Sequence, residues 1–211
     1  MRFLFDLDSP IMRFISRFCD IVVLNVVFLL TCIPIFTIGA ANTALYDVVF
    51  RMDTEREGKL LSTYFRSFRE NFRQSTVLWL FLLLFGIATY INMTRFSFLG
   101  ENSYILGYSL FVVSMLVLVL EVFIFAYAFP LLSRFRNSTW NTAKNALLLS
   151  IGNLPRTLII STINCFPWAL LIMNFYTFIQ VGFIWPAAYF AAAAYFNSRL
   201  LKKVFDALIE K

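Results

Sequence analysis

The sequence predicts an all-α fold: a polytopic bundle of helices embedded in a membrane, with about five transmembrane helices and two amphipathic helices on the cytoplasmic surface. Three observations carry that prediction. The 211 residues are 60% hydrophobic and only 14% charged, with a mean hydropathy of +0.76, whereas soluble domains carry about 25% charged residues. The charges fall between uncharged runs, and a helical span needs about 20 mostly apolar residues. The basic residues cluster beside those runs, as they do where membrane topology is set by cytoplasmic Lys and Arg.

The first run, residues 21–46, contains "TCIPIFTIGAANTALYD" with Pro34 and Gly39 at its centre. Two readings compete. In the preferred one a single span covers residues 21–38 with the N-terminus outside, which places 14 of the 18 basic residues in the cytoplasm. In the other the run is re-entrant and turns near Pro34, which places 17 of the 18 inside. The second fits the charges better but puts non-helical backbone at membrane depth, where it must be covered by protein or water. The run is longer than the apolar region of a signal peptide and follows two aspartates, so it reads as a retained segment.

Residues 60–73 form the first amphipathic segment. Leu61, Phe65, Phe68 and Phe72 make one stripe, and Arg66, Arg69 and Arg73 lie beside it, where their stems reach toward lipid headgroups. A clear span follows at residues 75–94, and another at 103–131, separated by Arg95. Ser138 is a helix N-cap for a second surface helix with the stripe Trp140, Ala143, Leu147 and Ile151, ended by Gly152 and Pro155. Residues 157–198 carry no charge and hold two spans, 157–173 and 179–197, turning at Asn174, Tyr176 and Thr177. The two units, surface helix plus hairpin, repeat at an offset of about 80 residues, a hydropathy-level pattern also met in transporters. Any small bundle of hairpins shows the same pattern.

Composition excludes much chemistry. The chain has no histidine, hence no His-based triad or His metal site. Cys19, Cys32 and Cys165 are scattered in apolar surroundings and read as small buried hydrophobes. No glycine-rich phosphate loop, paired-carboxylate site or zinc cluster occurs, so neither a cofactor nor a metal is expected and the protein is read as non-enzymatic. The net charge of +6 belongs to membrane topology, not to nucleic acid. Lipid is the expected surroundings.

Glu121 is the one ionisable residue well inside a long apolar run. A carboxylate there costs about 2.5–3.5 kcal/mol on insertion scales and counts as a functional candidate. The bland reading is a hydrogen bond to Asn, Thr or Tyr of a neighbouring span. Asn25, with Gly39, Ala40, Ala44 and Tyr46 around the Pro-Gly break, has the chemistry of a close helix interface, inside the chain or with a partner.

The stretch "LNVVFLLTCIPIFTIGAANTALYDVVFRM" resembles the signature of the YesL-like family of bacterial integral membrane proteins, a domain-of-unknown-function family. The matching positions are Asn25, Pro34, Thr37, Gly39, Ala40, Ala44, Leu45 and Tyr46; "YFRSFRENFRQS", "YAFPLLSRF" and "KNALLLSIGNLPRTLI" resemble later blocks. The resemblance implies a multi-pass protein of the bacterial cell membrane with its large loops and C-terminus cytoplasmic. It also implies an accessory role beside a binding-protein-dependent (ABC) importer of oligosaccharides, with permease subunits as partners and no established catalytic residue. The competing expectation is a small independent transporter whose polar path includes Glu121.

Overall fold

The computed structural model describes residues 10–52, 60–99, 104–182 and 184–209. Eight α-helices carry the fold among them: α1 (Pro10–Cys32), α2 (Ile38–Arg51), α3 (Leu60–Leu99), α4 (Tyr104–Arg134), α5 (Thr139–Gly152), α6 (Leu154–Met173), α7 (Phe175–Gln180) and α8 (Phe190–Ile209). A 3₁₀ turn (Ile35–Thr37) joins α1 to α2, and a π-helical segment (Trp185–Tyr189) leads into α8. No strand occurs among the described residues, so the chain is an all-α bundle. Among the described residues four stretches are long and apolar enough to cross a membrane: Ile11–Cys32, Leu60–Thr94, Gly107–Arg134 and Leu154–Met173.

The first run differs from the preferred expectation. Its helix starts at Pro10 and stops at Cys32, short of residue 38, because Pro34 carries no N–H and sits in extended backbone. Beyond it the chain turns, and Arg17, two turns into α1, donates a hydrogen bond to the carbonyl of Met52 just past α2. Residues 17 and 52 therefore lie at the same end of the bundle. α1 and α2 thus fold back on each other as a helical hairpin about the Pro34 break.

That path leaves α2 enclosed. Eleven of its fourteen residues are buried, and it packs against α1, α3, α4 and α8. Side chains satisfy part of the irregular backbone next to it: the Trp79 indole N–H of α3 donates to Ile35 O at 2.7 Å, and the Thr37 hydroxyl lies 2.5 Å from Thr31 O and 2.6 Å from Pro34 O, while Ile33, Ile35 and Phe36 are exposed.

The first expected surface helix is not a separate element. Residues 60–73 are the opening turns of α3, which runs unbroken for 40 residues, because no proline and only Gly86 interrupts it. At about 1.5 Å per residue it is roughly 60 Å long. The second surface helix does stand alone as α5, capped by the Ser138 hydroxyl, which accepts from Asn141 N at 3.4 Å. Asn174 ends α6 and caps α7 by accepting from Thr177 N at 3.1 Å. The last expected span, 179–197, is divided: α7 ends at Gln180, a turn follows, and the chain re-enters helix through the π segment. The connection between α3 and α4, residues 100–103, lies outside the described residues.

Candidate functional site: a polar seam in the bundle

Inside an apolar bundle the informative groups are the polar ones. Here they line up along helix interfaces. Asn25, fully buried in α1, clamps the π segment: Nδ2 donates to Trp185 O at 3.1 Å and to Pro186 O at 2.7 Å, and Oδ1 accepts from Ala191 N at 3.0 Å. A π turn widens the helix and frees backbone groups from their usual partners, and Pro186 brings no N–H of its own. One amide side chain, 160 positions away in sequence, satisfies three of the freed groups.

One layer further, Tyr46 of α2 meets α8 and α6. Asn197, also fully buried, donates through Nδ2 to Tyr46 Oη at 3.4 Å and to Asn164 Oδ1 at 3.0 Å. Asn197 Oδ1 is buried with no partner, and so is Ser161 Oγ, one turn before Asn164 on α6. The seam continues to Thr157, whose hydroxyl lies 3.1 Å from Tyr127 Oη, 2.7 Å from Ser150 O and 3.0 Å from Asn153 O. Thr157, Ser161 and Asn164 fall at i, i+4 and i+7, one face of α6. That spacing was present in the sequence as a polar stripe within an uncharged run.

Gly39 marks a close helix approach. A Cβ there would lie 2.4 Å from Ser75 O and 2.6 Å from Trp79 Cβ on α3, and 3.1 Å from Phe129 Cε1 on α4. Ala40 and Ala44 are fully buried on the same helix, and Thr43 Oγ1 lies 2.8 Å from Ser75 Oγ. Small and hydroxyl residues let helices approach where lipid supplies no hydrophobic drive. Gly39, Ala40 and Ala44 thus serve contacts within this chain and present no surface to a partner.

Glu121 belongs to a different place. On α4 it faces Gly86 and Thr89 of α3, the middle of the uncharged run 75–94. The Thr89 hydroxyl hydrogen-bonds the carboxylate, Oε2 lies 3.4 Å from where a Cβ of Gly86 would sit, and Oε1 has no partner. Residue 121 is half-buried, in line at seven-residue spacing with buried Ser114 and Ala128 along the α3–α4 contact. No hydrogen bond among the described residues joins it to the Tyr46–Asn197 seam.

Arg66, Arg69 and Arg73 are exposed along the first turns of α3, beside exposed Leu61 and Phe65. At the same end Arg134 pairs with Asp206 at 3.1 Å and stacks over Phe50 at 5.3 Å. The faces of α3 and α5 that pack inward are Thr63, Tyr64 and Ser67, and Thr142, Ala146 and Ser150; the expected stripes point partly outward, with Trp140 72% exposed. The three cysteines are free. Among the described residues no group of acidic or cysteine side chains suits a metal.

A protein-family model described as "Protein of unknown function, DUF624" matches residues 21–93, about a third of the chain, which takes in most of α1, all of α2 and most of α3. No curated protein and no solved structure matches the chain.

Proposed function

We propose that this protein is a non-enzymatic accessory subunit of the bacterial cell membrane that docks on the permease of an oligosaccharide ABC importer and stabilises or regulates it, with its large loops and C-terminus in the cytoplasm. The observation that supports a docking role over an independent transporter is the position of α2. A largely buried helix packs among α1, α3, α4 and α8, where a transporter of this size would need its path. The resemblance to the YesL-like family supplies the partner class, and the DUF624 match spans the Asn25–Tyr46 segment that carries it.

The test is co-purification. Affinity-tagged protein extracted in mild detergent should retain permease subunits, and deletion should lower oligosaccharide uptake while permease transcription is unchanged. Recovery of folded, monodisperse protein with no permease attached would remove the reading.

A second reading rests on one specific observation, the unpartnered Oε1 of Glu121: a small transporter with a polar path along α3 and α4. It predicts flux into liposomes from the purified protein alone, abolished in Glu121→Gln. Absence of flux with intact uptake in cells would leave the accessory role.

A further inference from the structure

Helix α3 is one unbroken helix of 40 residues, and one face of it changes chemistry abruptly along its length. Arg66, Arg69 and Arg73 are exposed on its first turns. At steps of three and four residues the same line continues as Val77, Leu80, Leu84, Ile87 and Ile91, all exposed. Tyr64, Ser67, Ser75, Leu78 and Thr89 lie on the opposite side, buried. The line is therefore the side of α3 turned away from the bundle.

The arginines at its head have no counter-ion in the protein. None of the three takes part in a hydrogen bond or an ion pair among the described residues. Glu70, the acidic residue on these turns, stands beside the line, on the flank it shares with Gln74. Gln74 donates to the carbonyl of Asn137, which brings the turn between α4 and α5, with exposed Arg136, to the same level. Arg66, Arg69, Arg73 and Arg136 against Glu70 leave a net positive collar at the head of an apolar strip.

That order and those lengths fit an amphiphile. From Val77 to Ile91 the strip runs about 21 Å at 1.5 Å per residue, enough to carry an acyl chain through the about 15 Å of hydrocarbon in one leaflet. Arg73 stands about 6 Å beyond Val77, and Arg69 about 6 Å further, where headgroups lie. Guanidinium forks pair with phosphate oxygens. A zwitterionic headgroup brings its own ammonium to that phosphate, whereas an anionic one leaves the charge to the arginines. An acidic peptide would match the collar and leave the strip bare; a phospholipid matches both.

We infer that this face of α3 is a binding site for an anionic phospholipid, its phosphate held by Arg69 and Arg73 and an acyl chain lying along Leu80 and Leu84. Arg66 and Arg136 draw the headgroup in from further out. The site stands with or without a permease partner.

The experiment uses the full-length protein in nanodiscs of equal parts phosphatidylglycerol and phosphatidylcholine. A photo-crosslinking amino acid is placed at Leu80 or, as a control face, at Ile172 on α6, which is 84% exposed, and the lipid adducts are identified by mass. Adducts at Leu80 should favour phosphatidylglycerol by at least about fivefold, since each basic residue at a membrane surface adds affinity for anionic lipid. Adducts at Ile172 should follow the bulk ratio. Arg69→Gln with Arg73→Gln brings Leu80 to the bulk ratio, with the Ile172 yield unchanged as the check on folding. Lys144→Gln with Lys203→Gln removes the same charge at two other exposed positions and leaves the preference intact.

A bulk ratio at Leu80 in the wild type, or a preference that survives the double arginine variant, overturns the site. So does an equal loss in the lysine variant, which would mark net charge as the cause. A preference abolished by inorganic phosphate, but not by chloride of equal ionic strength, assigns the arginines to a free anion and overturns the lipid. A protein adduct from Leu80 in native membranes, in place of lipid, does the same.

Discussion

Replacing Gly39 with alanine adds one methyl group where α2 crosses α3 and α4 closely. The new carbon would stand 2.4 Å from Ser75 O, 2.6 Å from Trp79 Cβ and 3.1 Å from Phe129 Cε1. The first two atoms move only if α3 moves, so a rotamer change cannot relieve the clash. Overpacking costs about 1–3 kcal/mol, and a contact against backbone belongs at the upper end, about 3 kcal/mol. For a chain of this length 1 kcal/mol shifts the melting temperature by about 2–4 °C, so Gly39→Ala should lower it by about 6–12 °C. Heating in mild detergent followed by fluorescence-detected gel filtration measures this directly. Two glycines serve as internal standards. At Gly86 the new carbon meets Glu121 Oε2 at 3.4 Å, an ordinary contact, and at Gly152 it meets nothing within 4 Å. Both alanine variants should melt within about 2 °C of the wild type. If Gly39→Ala melts alongside them, the close crossing of α2 on α3 and α4 is wrong, and the enclosed position of α2 goes with it.

Three further outcomes are expected. Asn25→Leu removes its three hydrogen bonds, two to the π segment and one to the start of α8; at about 0.6 kcal/mol each in a membrane the loss is about 2 kcal/mol, read as a lower melting temperature, and Asn25→Asp should restore little because it lacks the donor. Ser138→Ala deletes the α5 cap and should cost about 1 kcal/mol, measurable in the same assay, with no change in membrane insertion. In a background lacking Cys19, Cys32 and Cys165, single cysteines at Arg13, Arg69 and Arg136 should resist a membrane-impermeant thiol reagent in intact cells and react after permeabilisation. Labelling of Arg13→Cys alone from outside would restore the single-crossing topology.

The spans were legible because charge is nearly forbidden in hydrocarbon, so uncharged runs such as 75–94 announce themselves. Ser138 was legible as a cap and Asn174 as a turn residue, because both act within three residues of their own position. The inward faces of α3 and α5 were not. An apolar stripe is normally read as the side that packs, but with lipid as solvent Phe65 and Trp140 gain nothing by turning inward, while Ser67, Thr142 and Ala146 permit close approach. The Pro34 break was visible, but its consequence depended on Arg17 reaching Met52, a contact that no local pattern encodes. The clamp of Asn25 on Trp185 and Pro186 was hidden for the same reason: the two halves of the interaction lie 160 positions apart.

Helix α3 is gripped near Ser75 and Trp79, where Gly39 presses against it. Thr89 lies about 18 Å to one side of that fulcrum and Arg66 about 16 Å to the other. The two arms are nearly equal, so each degree of tilt about that point would displace both ends by about 0.3 Å in opposite directions, against the packing of Thr63, Tyr64 and Ser67 on the inner one. A tilt of α3 about that point therefore couples the Thr89 end of the helix to the Arg66 end.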